Sequence, residues 1–344
     1  MAAHPTGLAN RNAGAYAGGM ATAPTQPDPA PRADAILPSL LAITAGVLFG
    51  GAVVATRYVV QQSDPLTIVT LRYVIGFSVM APLYVTSRRQ MAELRRMWGR
   101  DLLAVTGLGV LFFGLIPLSF TVGLSMTHAS RGGLVLALAP LATLLLSALL
   151  RVEALTAGKL GGAACAVLGA ALALGAGVVT SGVMAGGAGS GGAVPAATLL
   201  RGDAFMLLTT LLFAIYNVRV HRYLRAYHPL TVILHSLFSG TVFLLGSYVL
   251  LRGALPWARL DATGWAALLF IGIPGGAVGF AMYIMALGGL SPARAAVYYN
   301  LNPITAVALG ALLLGEPLGL HFWAGFALVL GGILLAQRER LRGA

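Results

Sequence analysis

The chain has 344 residues, of which 58% are apolar types and 9% are charged, with a mean hydropathy of +0.85. Soluble domains carry roughly 25% charged residues, so this composition excludes a soluble enzyme and a disordered scaffold and points to an integral membrane protein. The formal net charge is +12, from 22 Lys and Arg against 10 Asp and Glu. That charge falls mostly in short clusters between apolar runs, the pattern of cytoplasmic loops rather than of a nucleic-acid-binding face.

In chain order, residues 1–34 are rich in Ala, Gly, Pro and Thr and hold no apolar run, which predicts a disordered tail and no cleavable signal after Arg11. A bilayer core needs about 20 apolar residues per helix. Residues 35–179 supply five such runs, at 36–58, 65–86, 102–124, 128–150 and 157–179. Residues 180–201, rich in Gly, Ala and Ser and containing Pro195, read as a flexible linker. Residues 202–337 supply five more, at 202–222, 229–251, 262–285, 292–314 and 320–337, and 338–344 form a basic tail. The expected fold is all-α and integral to the membrane, with ten transmembrane helices. The lone Cys165 allows neither a disulfide framework nor a Cys-based metal site; no metal or cofactor is expected.

With the N-terminus inside, fifteen Arg and Lys fall in inner segments, including Arg88, Arg89, Arg95, Arg96 and Arg100. The outer loops hold three, Arg201, Arg252 and Arg259. This bias predicts a multi-pass protein of a bacterial inner membrane with both termini cytoplasmic.

A displacement of 163 positions superposes Arg131 on Arg294, Pro140 on Pro303, Glu153 on Glu316, Gly162 on Gly325 and Gly169 on Gly332. At 164, Phe49 of the first run meets Phe213 of the sixth. The halves are duplicates. Five spans per half is an odd number, so the second copy would enter the membrane in the opposite sense. Inverted repeats are the common architecture of secondary transporters, whose two pseudo-equivalent conformations open to alternate sides.

The repeated unit resembles the EamA-type repeat of the drug/metabolite transporter superfamily. The resemblance rests on Ser291 through Pro303, then Leu314-Gly-Glu-Pro-Leu318, Gly325 and Gly331-Gly332. The first half carries a degenerate copy in Ala129 through Gly133, Pro140, Glu153, Gly162 and Gly169, and Asp64-Pro65 with Arg72 also fits the pattern. The sequence departs from the family at Phe49 and Phe213, where a Trp is usual, and at Arg151-Val-Glu153, where Gly-Glu is typical. The resemblance implies a transporter; known members include amino-acid exporters, sugar permeases and drug exporters.

Ionisable and polar groups inside spans are the candidates for chemistry. Arg72, and with it Arg57, Arg131 and Arg294, could face a central cavity as anion sites or reach headgroup phosphates. Asn217, Tyr283, Tyr298, Tyr299 and Asn302 could contact a polar substrate or hold helices together by hydrogen bonds. Pro303 removes the helical donor of the Tyr299 carbonyl. Pro140, Pro303, Glu153, Glu316 and His235 are candidates for gating or coupling. The alternatives are a carboxylate that caps the start of the next helix, for Glu153 and Glu316, and a packing histidine for His235. No Asp or Glu is expected deep in a span, which favours exchange or facilitation over cation coupling. The expected activity is export of a small polar metabolite such as an amino acid or derivative by alternating access, with a drug or other metabolite permease, or an importer, as the rival. A membrane enzyme would need paired acid-base or metal-ligand groups at one depth, and no expected span offers paired carboxylates or a His pair at ligand spacing. The expected partners are a small-molecule substrate and the lipid bilayer, with no nucleic acid, and a monomer would suffice.

Overall fold

The computed structural model describes residues 36–97, 99–151, 156–184, 195–287, 290, 298, 300–316 and 318–342. The expected tail, Glu153, Arg294 and Tyr299 lie outside the described residues. Within them the chain is helical, with no strand.

In order the helices are α1 (Ile36–Val59), α2 (Pro65–Thr86), α3 (Arg88–Arg96), α4 (Arg100–Val110), α5 (Ile116–Met126), α6 (Ala129–Leu136), α7 (Ala139–Leu149), α8 (Ala157–Met184), α9 (Ala196–Ala226), α10 (Pro229–Arg252), α11 (Ala262–Gly272), α12 (Gly279–Leu287), α13 (Leu301–Leu314) and α14 (Leu320–Arg342). Among the described residues, eight helical stretches are long and apolar enough to cross a membrane, and Leu301–Leu314 and Leu320–Ala336 are shorter apolar helices. Large apolar side chains point away from the bundle: Leu250 is 87% and Leu312 78% exposed. A molecule apolar on its outside as well as its inside needs hydrocarbon around it.

Helical residues are described at both ends of the stretch 180–201 read as a linker. Helix α8 continues to Met184, and α9 begins at Ala196, six residues before the expected span. Ala196, Ala197, Leu199 and Leu200 are good helix formers, and they follow Pro195 directly.

Helix starts carry acids where the backbone leaves N–H groups free. Asp64 caps α2, accepting the Thr67 N–H at 3.1 Å, with Pro65 in the first turn. Asp261 caps α11 through the Gly264 N–H at 2.5 Å and accepts from Gln62 Nε2 at 3.2 Å. The Gly264 N–H above all holds the Asp261 carboxyl below its usual range.

Several helices are interrupted. A π-helical turn, Leu111–Leu115, joins α4 to α5, and another, Ile273–Val278, joins α11 to α12. These turns sit 163 positions apart along the chain to within one residue. The helical run from Ala129 to Leu149 breaks between Leu136 and Ala139, just before Pro140.

Helices α8 and α14 pack against each other through glycines. A Cβ on Gly162 would lie 2.6 Å from the Gly332 carbonyl oxygen, and one on Gly169 would lie 2.6 Å from that of Gly325. Lipid tails are as apolar as Leu, so close backbone approach and the dispersion it allows hold such helices together. Replacing Gly169 by Leu should therefore force the helices apart and lower the thermal midpoint in detergent by several degrees, through about 1–3 kcal/mol of overpacking. Gly161→Leu, with open space at the neighbouring position, should leave the midpoint nearly unchanged.

Candidate functional site

A small cavity of about 40 Å³ lies at the break between α6 and α7 and the start of α13, lined by Leu136, Ala137, Ala139, Pro140, Phe213, Asn300, Asn302 and Pro303. Three pairs of its lining residues are related by the 163-residue displacement: Ala137 and Asn300, Ala139 and Asn302, Pro140 and Pro303. Both halves thus contribute the same short stretch to one cavity. The walls are not alike: the first half offers two alanines where the second offers two asparagines. Pro140 has no N–H, so the Leu136 carbonyl lacks its usual helical partner. Irregular backbone of this kind is tolerated at membrane depth only where it is buried in protein or lines a cavity. The cavity has room for little more than a water or two, and its lining is mostly apolar, with the Asn300 and Asn302 carboxamides as its polar side chains.

Pro140, Pro303 and Asn302, singled out in the sequence, come together here. Arg72, Asn217, Tyr283 and Tyr298 do not line this cavity. Arg72 lies over the Tyr73 ring at 5.4 Å, and its buried Nε has no hydrogen-bond partner among the described residues. Tyr283 meets Phe49 edge to face at 6.3 Å. Tyr298 packs with Leu41, Ala42, Ala286 and Leu290, and Asn217 is half-buried on α9. The neighbouring Tyr216 stacks on Phe112 at 4.0 Å. His235 has both ring nitrogens engaged inside the bundle, Nδ1 with the Tyr84 hydroxyl at 3.0 Å and Nε2 with the Thr106 hydroxyl at 2.8 Å.

A second polar assembly lies at the start of α6. Arg131 is 5% exposed and Asp203 6% exposed. The Arg131 Nη2 pairs with Asp203 Oδ2, its Nε donates to Asp203 Oδ1 at 3.3 Å, and its Nη1 donates to the Leu174 carbonyl at 3.0 Å. The Thr127 hydroxyl donates to Asp203 Oδ1 at 3.0 Å. Arg57 is half-buried and donates through Nη1 to the Leu124 carbonyl at 2.6 Å. Both arginines therefore have hydrogen-bond partners inside the protein. Asp203 is a carboxylate buried inside the protein at a position read from sequence as the edge of the sixth span. Because α9 starts at Ala196, Asp203 sits two turns into the helix rather than at the edge of a span starting at 202.

Glu316 is also buried and accepts the backbone N–H groups of Ala129 at 2.5 Å and Ser130 at 2.8 Å. It is a helix cap, but the helix it caps is α6, far back in the first half, not the next helix in the chain. Glu316→Ala should leave two buried donors unpaired, at about 1–3 kcal/mol each, and lower the thermal midpoint by several degrees. Glu316→Gln keeps one acceptor oxygen and should fall between; a midpoint unchanged in both variants would remove the cap from the account.

Apolar helices in this number, packed by glycines and broken beside a small cavity lined by both halves, define a multi-pass membrane protein. The chain belongs to the EamA-like transporter family, whose model matches it twice, over residues 36–175 and 200–337. An uncharacterized transporter of Archaeoglobus fulgidus is 28% identical over 88% of this chain and 98% of its own length. An uncharacterized protein of Pseudomonas aeruginosa is 31% identical over 88% of this chain and 95% of its own length. A protein of Streptantibioticus cattleyicolor named "Probable terminal-alkyne amino-acid exporter" is 28% identical over 72% of this chain and 77% of its own. A solved protein structure shares the fold, with a TM-score of 0.58 and 21% identity over 89% of this chain and 98% of that one.

Proposed function

We propose that this chain is a secondary transporter that works by alternating access and exports a small polar metabolite, an amino acid or a derivative. In this reading ten spans form two inverted five-helix repeats in the inner membrane, with both termini cytoplasmic. The observation that carries it is the small cavity at the helix breaks, built from positions 137, 139 and 140 of one half and 300, 302 and 303 of the other. The twofold family match, the π turns at displaced positions and the excess of Arg and Lys in inner segments support the same arrangement.

Asn300 and Asn302 supply both donors and acceptors, which suits a ligand carrying an amine and a carboxylate. Broken helices near mid-membrane add free backbone groups of the same kind. The relative named as an amino-acid exporter supports this substrate class. The apolar remainder of the lining, from Leu136, Ala137, Ala139 and Phe213, favours the second reading, a permease for drugs or less polar metabolites.

The test is a metabolite profile of the medium. Cells expressing the chain are loaded with dipeptides to raise internal amino acids and compared with cells expressing Asn302→Ala at equal membrane level. Early, selective appearance of one or a few amino acids is expected, reduced roughly tenfold in the variant, the effect of losing one or two hydrogen bonds. A medium unchanged by expression of the parent chain would contradict amino-acid export. Resistance to an apolar drug without amino-acid release would favour the second reading.

A further inference from the structure

The Arg131–Asp203 pair joins the two family-matched regions, since Arg131 lies in 36–175 and Asp203 in 200–337. Glu316, from the second region, holds the start of α6 in the first by its backbone. The same elements line the cavity further along: α6 and the α6–α7 break at residues 136–140, α9 at Phe213, and the α13 segment at residues 300–303. Counting 1.5 Å per helical residue, the ion pair lies about 8–15 Å along these helices from the cavity. Between the two, the Thr210 hydroxyl meets the Val135 carbonyl at 3.3 Å and Thr210 is buried, so no open path joins that end to the cavity at this point.

The two ends of the duplicated chain are not equivalent. Arg131 has a counterpart in Arg294, and Glu316 in Glu153. Asp203 has none. At the displacement of 164 that aligns Phe49 with Phe213, its counterpart is Ser39, and residues 36–63 contain no Asp or Glu. A carboxylate able to pair with a buried guanidinium is therefore present at one end of the repeat pair and missing from α1 at the corresponding place. A buried ion pair is strongly unfavourable to break by removing one partner, because the remaining charge is left without solvent.

We infer that Arg131 and Asp203 form a one-sided latch between the repeats that holds the α6/α9/α13 end of the cavity closed, so that the substrate-free transporter rests open toward the other end. The latch rests on the alternating-access reading above. The positive-inside count puts it on the face away from the cytoplasm. The resting state then faces the compartment from which an exporter takes its substrate. Opening outward requires Arg131 and Asp203 to separate, and the groups facing them, Thr127, His128, Arg57 and Glu316, remain to solvate the parted charges.

The test reads accessibility, not transport. A cysteine replaces Thr210 in a Cys165→Ala background, and a membrane-impermeant thiol reagent is applied to intact cells and to inverted vesicles without substrate. In the parent pair the cysteine should react slowly from the latch side. In Asp203→Asn, and in Arg131→Met with Asp203→Leu, it should react about tenfold faster from that face alone, since the double variant removes the latch without leaving a lone buried charge. The double variant must melt as cooperatively as the parent. Unchanged reactivity in that variant, or an equal rise from both faces, would overturn the latch. Because labelling needs no substrate, a failed metabolite profile with a one-sided rise would sink the substrate reading and leave the latch, and the reverse pattern would do the opposite.

Discussion

Hydrocarbon offers no hydrogen bonds, and that constraint decides where this chain can be irregular. Every backbone N–H and C=O inside the membrane needs a partner from the protein. The long helices meet the need internally. Where they stop or break, the structure supplies something specific: the Glu316 carboxylate for the free N–H groups at the start of α6, and a small cavity with two asparagines in its lining beside the carbonyl that Pro140 leaves without its helical donor. The cavity and the carboxylate cap both tie one half of the chain to the other.

Close packing follows the same logic. Without a hydrophobic drive between helices in lipid, contact must come from shape, and glycine sets how near two backbones may approach. Gly162 against Gly332 and Gly169 against Gly325 let α8 and α14 meet backbone to backbone. Each of these contacts pairs residues whose partners under the 163-residue displacement form the other contact. Such a joint is stiff, whereas the π turns at Leu111–Leu115 and Ile273–Val278 and the break before Pro140 are points at which a helix can bend. Rigid α8 and α14 beside jointed α4–α7 and α11–α13 suit a machine in which some helices pivot on others.

Much of this was legible in the sequence, because membrane helices announce themselves by apolar length and the duplication by spacing. Pro140, Pro303 and Asn302 could be picked out, since proline and amide in an apolar run must be explained. Asp203 could not. It stands near the edge of an apolar run, where an acid normally faces headgroups, and only the early start of α9 at Ala196 carries it inward to Arg131. Sequence gives depth along a helix but not which face a side chain takes, and Arg57 turns toward the Leu124 carbonyl. The role of Glu316 as a cap was readable from its type, but its helix was not, because the partner is nearly two hundred positions away. The rings of Tyr283 and Tyr298, singled out in the sequence for their polarity, pack against Phe49 and against Ala42 and Ala286.

The central claim is that one cavity, shared by the two halves, is reached from each side of the membrane in turn. A single cysteine in place of Ala139, in a Cys165→Ala background, tests it directly. The account predicts reaction with an impermeant thiol reagent from either face, in different subpopulations, and protection by the transported substrate from both. Reaction from neither face, or from one face alone whatever the substrate gradient, would contradict it.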